Sequence, residues 1–190
     1  MVLKERTWHF NNAIPNNFCK AIIKYYSLLK DEQATVGSKA DGGLIKKRTR
    51  NSLVNWINEK WMYDLIHRFV GLSNRNAGWN FDVNFTEKIQ FTKYKLNQHY
   101  TWHKDTHIPS DINEPIRKIS SVIFLNSPKD YKGGEFQFKL DNEKKQEIVN
   151  VKPDAGTVIV FPSFITHRVT PVTSGVRHTL VSWTKGPQFK

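Results

Sequence analysis

The stretch from Tyr94 to Asp105 reads YKLNQHYTWHKD and places a histidine and an aspartate two positions apart, at His103 and Asp105. In a β-strand, side chains two positions apart point to the same face. His103 and Asp105 can therefore face one cavity, where an imidazole and a carboxylate supply two ligands of a 2-histidine-1-carboxylate metal site. A lone His-x-Asp pair also occurs in ordinary strands, so its meaning depends on the rest of the chain.

Two histidines compete for the third ligand position. His167 follows an apolar run, TVIVFP, and opens the segment HRVTPV, so it belongs to another strand. His107 shares strand parity with His103 and Asp105 in HKDTH and is the alternative ligand. We expect the chain to bend after Asp105 and carry His107 away, which favours His167.

An arginine lies on an apolar strand in GVRHTLVSW. By the period of two, Arg177, Thr179, Val181 and Trp183 share one face. A buried arginine is costly unless it meets an anion, and its planar guanidinium suits a carboxylate gripped through two hydrogen bonds. Thr179 can donate one more hydrogen bond, so the pattern predicts a dicarboxylate ligand.

The order of His-x-Asp, a distant histidine and an arginine ten residues later resembles the 2-oxoglutarate and Fe(II)-dependent oxygenases, specifically their prolyl 4-hydroxylase-like branch. The resemblance extends from Glu87 to Trp183, about half of the chain. It includes GGEFQF (133–138), which resembles the family's strand following a Gly-Gly turn, and PDAGTVIVFPSFITHRVTPV (153–172), which is similar to the region of the family's second histidine.

The resemblance assigns roles to individual residues. It implies that Arg177 pairs with the distal carboxylate of 2-oxoglutarate and that Tyr94 hydrogen-bonds the same cosubstrate, next to Thr179. It also places Tyr100 and Trp183 on the substrate side of the pocket. The metal ligands that it implies are His103, Asp105 and His167.

The implied activity is hydroxylation of a peptidyl residue, as in prolyl 4-hydroxylases, with decarboxylation of 2-oxoglutarate to succinate. The implied cofactors are Fe(II), 2-oxoglutarate and dioxygen, with ascorbate as a further one, and the implied partner is a peptide or protein substrate. One alternative is a dioxygenase acting on nucleic acid or a small molecule. Dealkylases of alkylated bases usually carry a second arginine six residues after the first, where this chain has Trp183. A second alternative is a non-enzymatic, cupin-like metal-binding protein.

Helices are predicted before the strands. Apolar residues recur at helical spacing in 16–30 and 52–71, and the polar segment 31–51 is predicted to be a mobile loop. From residue 79 the pattern changes to short strands separated by turn signals. The predicted strands are 79–85, 88–95, 98–104, 118–126, 134–140, 147–152, 156–162, 167–172 and 177–184.

These elements predict a mainly-β (α+β) fold, a double-stranded β-helix or jelly roll preceded by two helices. We expect one domain, 1–190, with helical support and loop in 1–78 and the β-helix core in 79–190.

The composition excludes several classes. One cysteine among 190 residues rules out a disulfide framework or a cysteine metal cluster. The sequence shows neither an apolar run long enough for a membrane span nor the apolar core of a signal peptide, so a cytoplasmic protein is expected. The net charge of +12 favours acidic partners, but the basic residues form no one-sided stripe, which disfavours nucleic acid.

Overall fold

The computed structural model describes residues 3–37, 43–107, 109, 111, 113–142 and 145–189. Within them the fold is mainly β with two helices, α1 (Asn16–Tyr26) and α2 (Lys60–Asn76). The strands are β1 (Trp8–Phe10), β2 (Glu32–Gln33), β3 (Arg50–Asn51), β4 (Leu53–Ile57), β5 (Phe85–Thr86), β6 (Ile89–Tyr94), β7 (His99–His103), β8 (Ile116–Phe124), β9 (Tyr131–Gly133), β10 (Phe136–Asn142), β11 (Lys145–Val151), β12 (Val158–Pro162), β13 (Thr166–Val169), β14 (Val172–Gly175) and β15 (Arg177–Gly186). This confirms the predicted mainly-β class with helical support.

Most strands belong to two antiparallel sheets. The main sheet has the order β1-β12-β8-β15-β6-β4-β2, and β5 also pairs with β15. The minor sheet has the order β11-β10-β13-β7-β3, and β14 pairs with β9 in a short ribbon. The neighbours in both sheets are distant in sequence, so residues far apart along the chain meet in space.

The helices cover one face of the main sheet. Their apolar residues recur every three or four positions, as in Cys19, Ile22 and Tyr26 of α1, because this spacing forms one stripe on a helix. They pack against alternate residues of the sheet, among them Ile123 and Leu180. Neither described helix combines the length and the apolar character needed to cross a membrane.

The opposite face of the main sheet meets the minor sheet in a second apolar cluster. Strand alternation separates the two clusters, since Leu180 faces the helices while Val181 packs against the second cluster. The buried members of this second cluster are Tyr94, Val122, Phe124, Phe136, Phe138, Ile159, Phe161, Val169 and Val172.

The second helix differs from its prediction. Residues 53–57 are strand β4, which pairs with β6 through Leu53↔Lys93 and Ile57↔Ile89. Short apolar runs fit helical and strand spacing equally well, and pairing with the edge of β6 decides the outcome here. The helix begins at Lys60 and passes Gly71 to Asn76, because one internal glycine costs a helix only about 1 kcal/mol.

Other boundaries also differ. The first helix ends at Tyr26 and not at residue 30, and 79–84 is irregular, with only Phe85 of that predicted strand in β5. Within the predicted loop 31–51, the described residues form β2, β3 and a backbone bridge between Val36 and Leu44. Residues 38–42 lie outside the described residues, and mobility of this segment stays a prediction.

Candidate metal centre

Three side chains that are far apart in sequence converge between the two sheets. His103 Nε2 lies 3.5 Å from Asp105 Oδ1, and His167 Nε2 lies 3.5 Å from Asp105 Oδ2. One potential ligand atom from each of the three lies within 4.8 Å of the others. Among the described residues, this is the group of histidine and carboxylate side chains arranged to hold a metal ion.

The convergence depends on a bulge between β7 and β13. His103 pairs with His167, whereas Tyr100 and not Thr101 pairs with Val169, so the register shifts by one residue. Tyr100 and His103 therefore both face the site although they are three positions apart. Asp105 follows the end of β7, so simple strand alternation from His103 does not describe its position.

The backbone sets the orientation of both imidazoles. His103 Nδ1 lies 2.8 Å from the carbonyl oxygen of Thr101, and His167 Nδ1 lies 2.9 Å from that of Ile165. Only a protonated Nδ1 can donate to a carbonyl, so each Nε2 keeps a free lone pair toward Asp105. Burial, followed by the proximity of His103, lowers the pKa of His167 to about 4, so this ring is neutral at pH 7, as a metal ligand requires.

A pair of serines holds the carboxylate. Ser120 Oγ lies 2.7 Å from Asp105 Oδ2 and 2.9 Å from Ser163 Oγ, and the Asp105 N–H donates to the Ser163 carbonyl at 2.9 Å. Burial alone would raise the pKa of Asp105, but the two site imidazoles and Arg117 more than offset it and hold that pKa below its usual range. The site therefore presents an ionised carboxylate.

Arg177 supplies a buried cation in the same space. It is only 2% exposed, and its Cζ lies 5.4 Å from the centre of the Tyr94 ring and 5.1 Å from that of Phe124. Its Nε and Nη2 have no hydrogen-bond partner among the described residues, and neither has Thr92 Oγ1. Thr92 pairs with Thr179 across the neighbouring strand, so these unsatisfied groups lie close together.

Two phenylalanine rings connect Arg177 to the three converging side chains. Phe124 contacts Phe136 at 5.8 Å between centroids, and Phe136 contacts His167 at 5.6 Å. Two imidazoles and one carboxylate suit divalent iron, and an unpaired guanidinium suits a carboxylate. The space between the two sheets thus holds a candidate metal site and a candidate anion site about two aromatic rings apart.

A stack of side chains forms one wall near His103. The Tyr100 ring stacks on the His103 ring with centroids 3.4 Å apart, and Arg50 Cζ lies 4.8 Å from the Tyr100 centroid. Arg50 Nη2 donates to Gln90 Oε1 at 2.9 Å, and its Nε donates to Ser52 Oγ at 3.2 Å. Arg50 lies in the polar segment 31–51, and nothing in its sequence pattern indicated a role at this site.

Trp183 forms another wall and is held by Arg117. Arg117 Cζ lies 4.0 Å from the Trp183 ring, while its Nε and Nη2 donate to Glu87 Oε1 and Oε2 at 3.0 and 2.5 Å. Arg117 follows a polar stretch of the sequence, residues 110–115, but it lies in β8 and is half-buried. One sequence feature could have indicated a role for Arg117. It is a charged residue just before an apolar strand segment that contains two adjacent serines.

The alternative ligand His107 does not join the group. Its Nε2 lies 3.4 Å from Glu114 Oε1 at the surface. The structure thus separates His107 from His103 and Asp105, whereas His167 meets both.

Comparisons with known proteins agree with this geometry. Residues 89–185, about half of the chain, match the model of the 2OG-Fe(II) oxygenase superfamily. A PKHD-type hydroxylase of Nitrosomonas eutropha is 30% identical over 172 residues, which cover 87% of this chain and 74% of that protein. A PKHD-type hydroxylase of a Synechococcus strain is 36% identical over 96 residues, which cover 50% of this chain and only 41% of the relative.

Solved structures show the same fold at low sequence identity. A Pseudomonas putida prolyl-4-hydroxylase superposes with a TM-score of 0.73 at 18% identity, covering 94% of this chain and 91% of that one. A Trichoplax adhaerens prolyl hydroxylase, in complex with a hypoxia inducible factor peptide fragment, gives a TM-score of 0.72 at 17% identity, covering 94% and 82%. By its sequence match and its relatives, the chain belongs to the 2OG-Fe(II) oxygenase superfamily.

Proposed function

We propose that this chain is an Fe(II)- and 2-oxoglutarate-dependent dioxygenase that hydroxylates a peptidyl residue, as prolyl 4-hydroxylases do, while 2-oxoglutarate is decarboxylated to succinate. The observation that carries the proposal is Arg177, a buried guanidinium with two nitrogens unpartnered among the described residues, which is linked through Phe124 and Phe136 to the group of His103, Asp105 and His167. A metal-binding protein without a carboxylate cosubstrate has no use for this costly group.

The chain's own residues bind and orient the reactants. His103, Asp105 and His167 would hold the iron through two neutral Nε2 atoms and one carboxylate. Bound iron supplies the redox chemistry that couples dioxygen to oxidation of the cosubstrate and of a substrate C–H bond. Arg177 would clamp the distal carboxylate of 2-oxoglutarate.

Further donors to the cosubstrate lie beside Arg177. Tyr94 lies against Arg177, and Thr179 lies between Arg177 and Val181 on the inner face of β15. We assign both to the distal end of 2-oxoglutarate, where the unsatisfied Thr92 hydroxyl can also take part. Phe136 and Phe161 pack against His167 and shield this proposed metal ligand from bulk water.

The substrate side is assigned to Tyr100 and Trp183, the two walls supported by Arg50 and Arg117. The Trichoplax relative bound to a peptide fragment supports a peptide as the substrate class. Trp183 occupies the position where a nucleic-acid dealkylase would carry a second arginine, which disfavours that alternative. The superfamily match disfavours a cupin-like binding module.

We also propose that the two facing sheets form a double-stranded β-helix and that 1–190 is a single domain. The pairing of N-terminal strands with the family-matched region supports this, because β4 pairs with β6 and β1 with β12.

The test begins with purified apoprotein, Fe(II) and 2-oxoglutarate without oxygen. Chelation of the keto acid to iron gives a weak visible charge-transfer band, and we expect Arg177→Met to need far more 2-oxoglutarate to form it. Succinate release on adding air and proline-containing peptides then identifies the substrate. If iron binds but no band forms at any 2-oxoglutarate concentration, the cosubstrate assignment is wrong. If a folded sample binds no iron, the ligand assignment is wrong.

A further inference from the structure

An open groove lies on the helical side of the molecule, where α1 meets the start of α2. It encloses about 280 Å³, and its lining is dominated by aromatic rings. Several of these rings are unusually exposed, since Phe18 is 39%, Tyr25 61% and Trp61 44% accessible to solvent. The residues that line it are Phe18, Ala21, Ile22, Tyr25, Tyr26, Glu59 and Trp61.

The aromatic rings that line the groove are steeply inclined to one another. Phe18 and Trp61 meet with centroids 5.6 Å apart at 63°, and Tyr25 and Tyr26 meet at 4.9 Å and 88°. In each pair the edge of one ring meets the face of the other, and the exposed parts of Phe18, Tyr25 and Trp61 leave aromatic surface open to the groove, where it can attract an alkylammonium group. Burying exposed aromatic surface of this kind also favours binding of an alkyl chain.

A carboxylate in the same groove adds a matching charge. Glu59 is half-buried, and burial together with this neighbouring carboxylate raises the pKa of the Tyr26 phenol. No lysine, arginine or histidine in the described part of the chain forms an ion pair with Glu59, although basic residues outnumber acidic ones by 29 to 17. The Glu59 carboxylate accepts hydrogen bonds from the Asn58 backbone N–H, at 3.1 Å, and from the Tyr26 hydroxyl, but no described cation neutralises its charge, so it is complementary to an incoming cation.

The chain's own lysines on α1 do not fill this role. At 100° per residue, Lys20 and Lys24 lie on the side of α1 opposite to Phe18, Ile22 and Tyr25. Lys60, which follows Glu59, forms an ion pair with Asp64 at 2.6 Å.

We propose that this groove binds a lysine side chain of a partner protein, with its alkyl stem against Phe18 and Trp61 and its ammonium beside Glu59 and the exposed Tyr25 ring. Lysine fits because its apolar stem and compact charged head match the two parts of the lining. Methylation would keep the charge and enlarge the apolar surface, so methylated lysines are expected to bind more tightly. The site lies on the opposite side of the main sheet from the metal centre and does not depend on the proposed activity.

The test titrates the full-length protein with short acetylated and amidated peptides that carry one lysine with zero to three methyl groups. The same peptide with norleucine, which has no charge, is the matched probe. The readout is the indole N–H signal of Trp61 in two-dimensional NMR, assigned through Trp61→Phe. We expect the lysine peptides to shift this signal and to bind at least about tenfold more tightly than the norleucine peptide.

Protein variants separate the contributions. Glu59→Gln and Tyr25→Ala should each weaken binding about fivefold or more, while Leu72→Ala, an exposed apolar residue of α2 outside the groove, should leave it unchanged. Equal binding of the norleucine peptide would show an apolar docking surface and overturn the proposal. Absence of any shift at millimolar lysine peptide, in a protein whose other signals remain dispersed, would also overturn it.

Discussion

Replacing Arg177 by methionine should stabilise the protein without ligand while abolishing most of its affinity for 2-oxoglutarate. Arg177 is 2% exposed, and two of its guanidinium nitrogens have no partner among the described residues. Each unsatisfied buried donor costs about 1–3 kcal/mol, so the pair costs about 2–6 kcal/mol. The cation–π contacts of Arg177 with the Tyr94 and Phe124 rings offset about 1–2 kcal/mol of this destabilisation.

The expected balance is a gain in the free energy of unfolding on the order of 2 kcal/mol for Arg177→Met. Methionine keeps much of the buried volume, so the cavity term stays small. For a domain of this size, such a gain raises Tm by about 4–8 °C. The loss of two charge-assisted hydrogen bonds to a carboxylate, about 3–6 kcal/mol, should raise the Kd for 2-oxoglutarate by about 10²- to 10⁴-fold.

Thermal and urea unfolding with and without 2-oxoglutarate, in the presence of an iron substitute that does not react with oxygen, measure both effects. Arg50→Met is the matched control, because Arg50 is also buried but donates to Gln90 and Ser52, and we expect it to lower the stability. The reasoning would be refuted if Arg177→Met lost several kcal/mol without ligand, or if 2-oxoglutarate raised its Tm as much as that of the unmodified protein.

His103→Ala should abolish binding of one equivalent of Fe(II) or Co(II), whereas His107→Ala should not, as calorimetry would show; equal losses would return His107 to the ligand set. Ser120→Ala should weaken metal affinity about tenfold by freeing the carboxylate that it holds, and Ser120→Thr should restore it; unchanged affinity for the alanine variant would remove the positioning role. Burial and the proximity of Lys93 lower the pKa of His178 from 6.5 to about 4, so its contribution to stability is complete above pH 6.5 and is lost as the pH falls toward 4. Urea unfolding at pH 7 and pH 5 should therefore show a loss about 2 kcal/mol smaller in His178→Gln than in the unmodified protein, and equal losses would contradict this assignment.

The three side chains that converge between the sheets, and Arg177, could be singled out from the sequence because their signals are local. Arg177 stands out as a charge on the inner face of an apolar strand, and His167 follows a strand of buried residues. The glycines at predicted turns also behave as expected, since Gly134 and Gly156 have φ of +59° and +83°, which side chains with a Cβ rarely adopt. These positions need no knowledge of distant partners.

The supporting residues depend on tertiary pairing and were not predicted. The bulge that brings Tyr100 beside His103 arises from the register between β7 and β13, which the residues of either strand alone do not specify. Arg50 reaches the same wall from a polar segment, because β3 pairs with β7. Ser120 did carry a signal, two serines within the apolar strand KISSVIF, but only its contact with Asp105 reveals its role.

The histidine next to Arg177 shows the same limit. His178 points away from Arg177, as strand alternation predicts, but its side chain is only partly exposed to solvent. It stacks on Phe91 with centroids 5.7 Å apart beneath the helices. Strand alternation predicts which side chains share a face. It does not predict whether that face is open to solvent or covered by another layer of the fold.

The position of β15 in the main sheet also constrains how the protein can fold during synthesis. β15 spans residues 177–186 and lies between β8 and β6, and among the described residues each of these two strands pairs with β15 and not with the other. Until those residues leave the ribosome, β8 and β6 each present an open apolar edge, and such edges pair readily with other chains. The contacts that close the sheet join segments about 60–90 residues apart, which slows folding. We therefore expect the nascent chain to depend on chaperones, and slower translation at low temperature to raise the yield of folded protein.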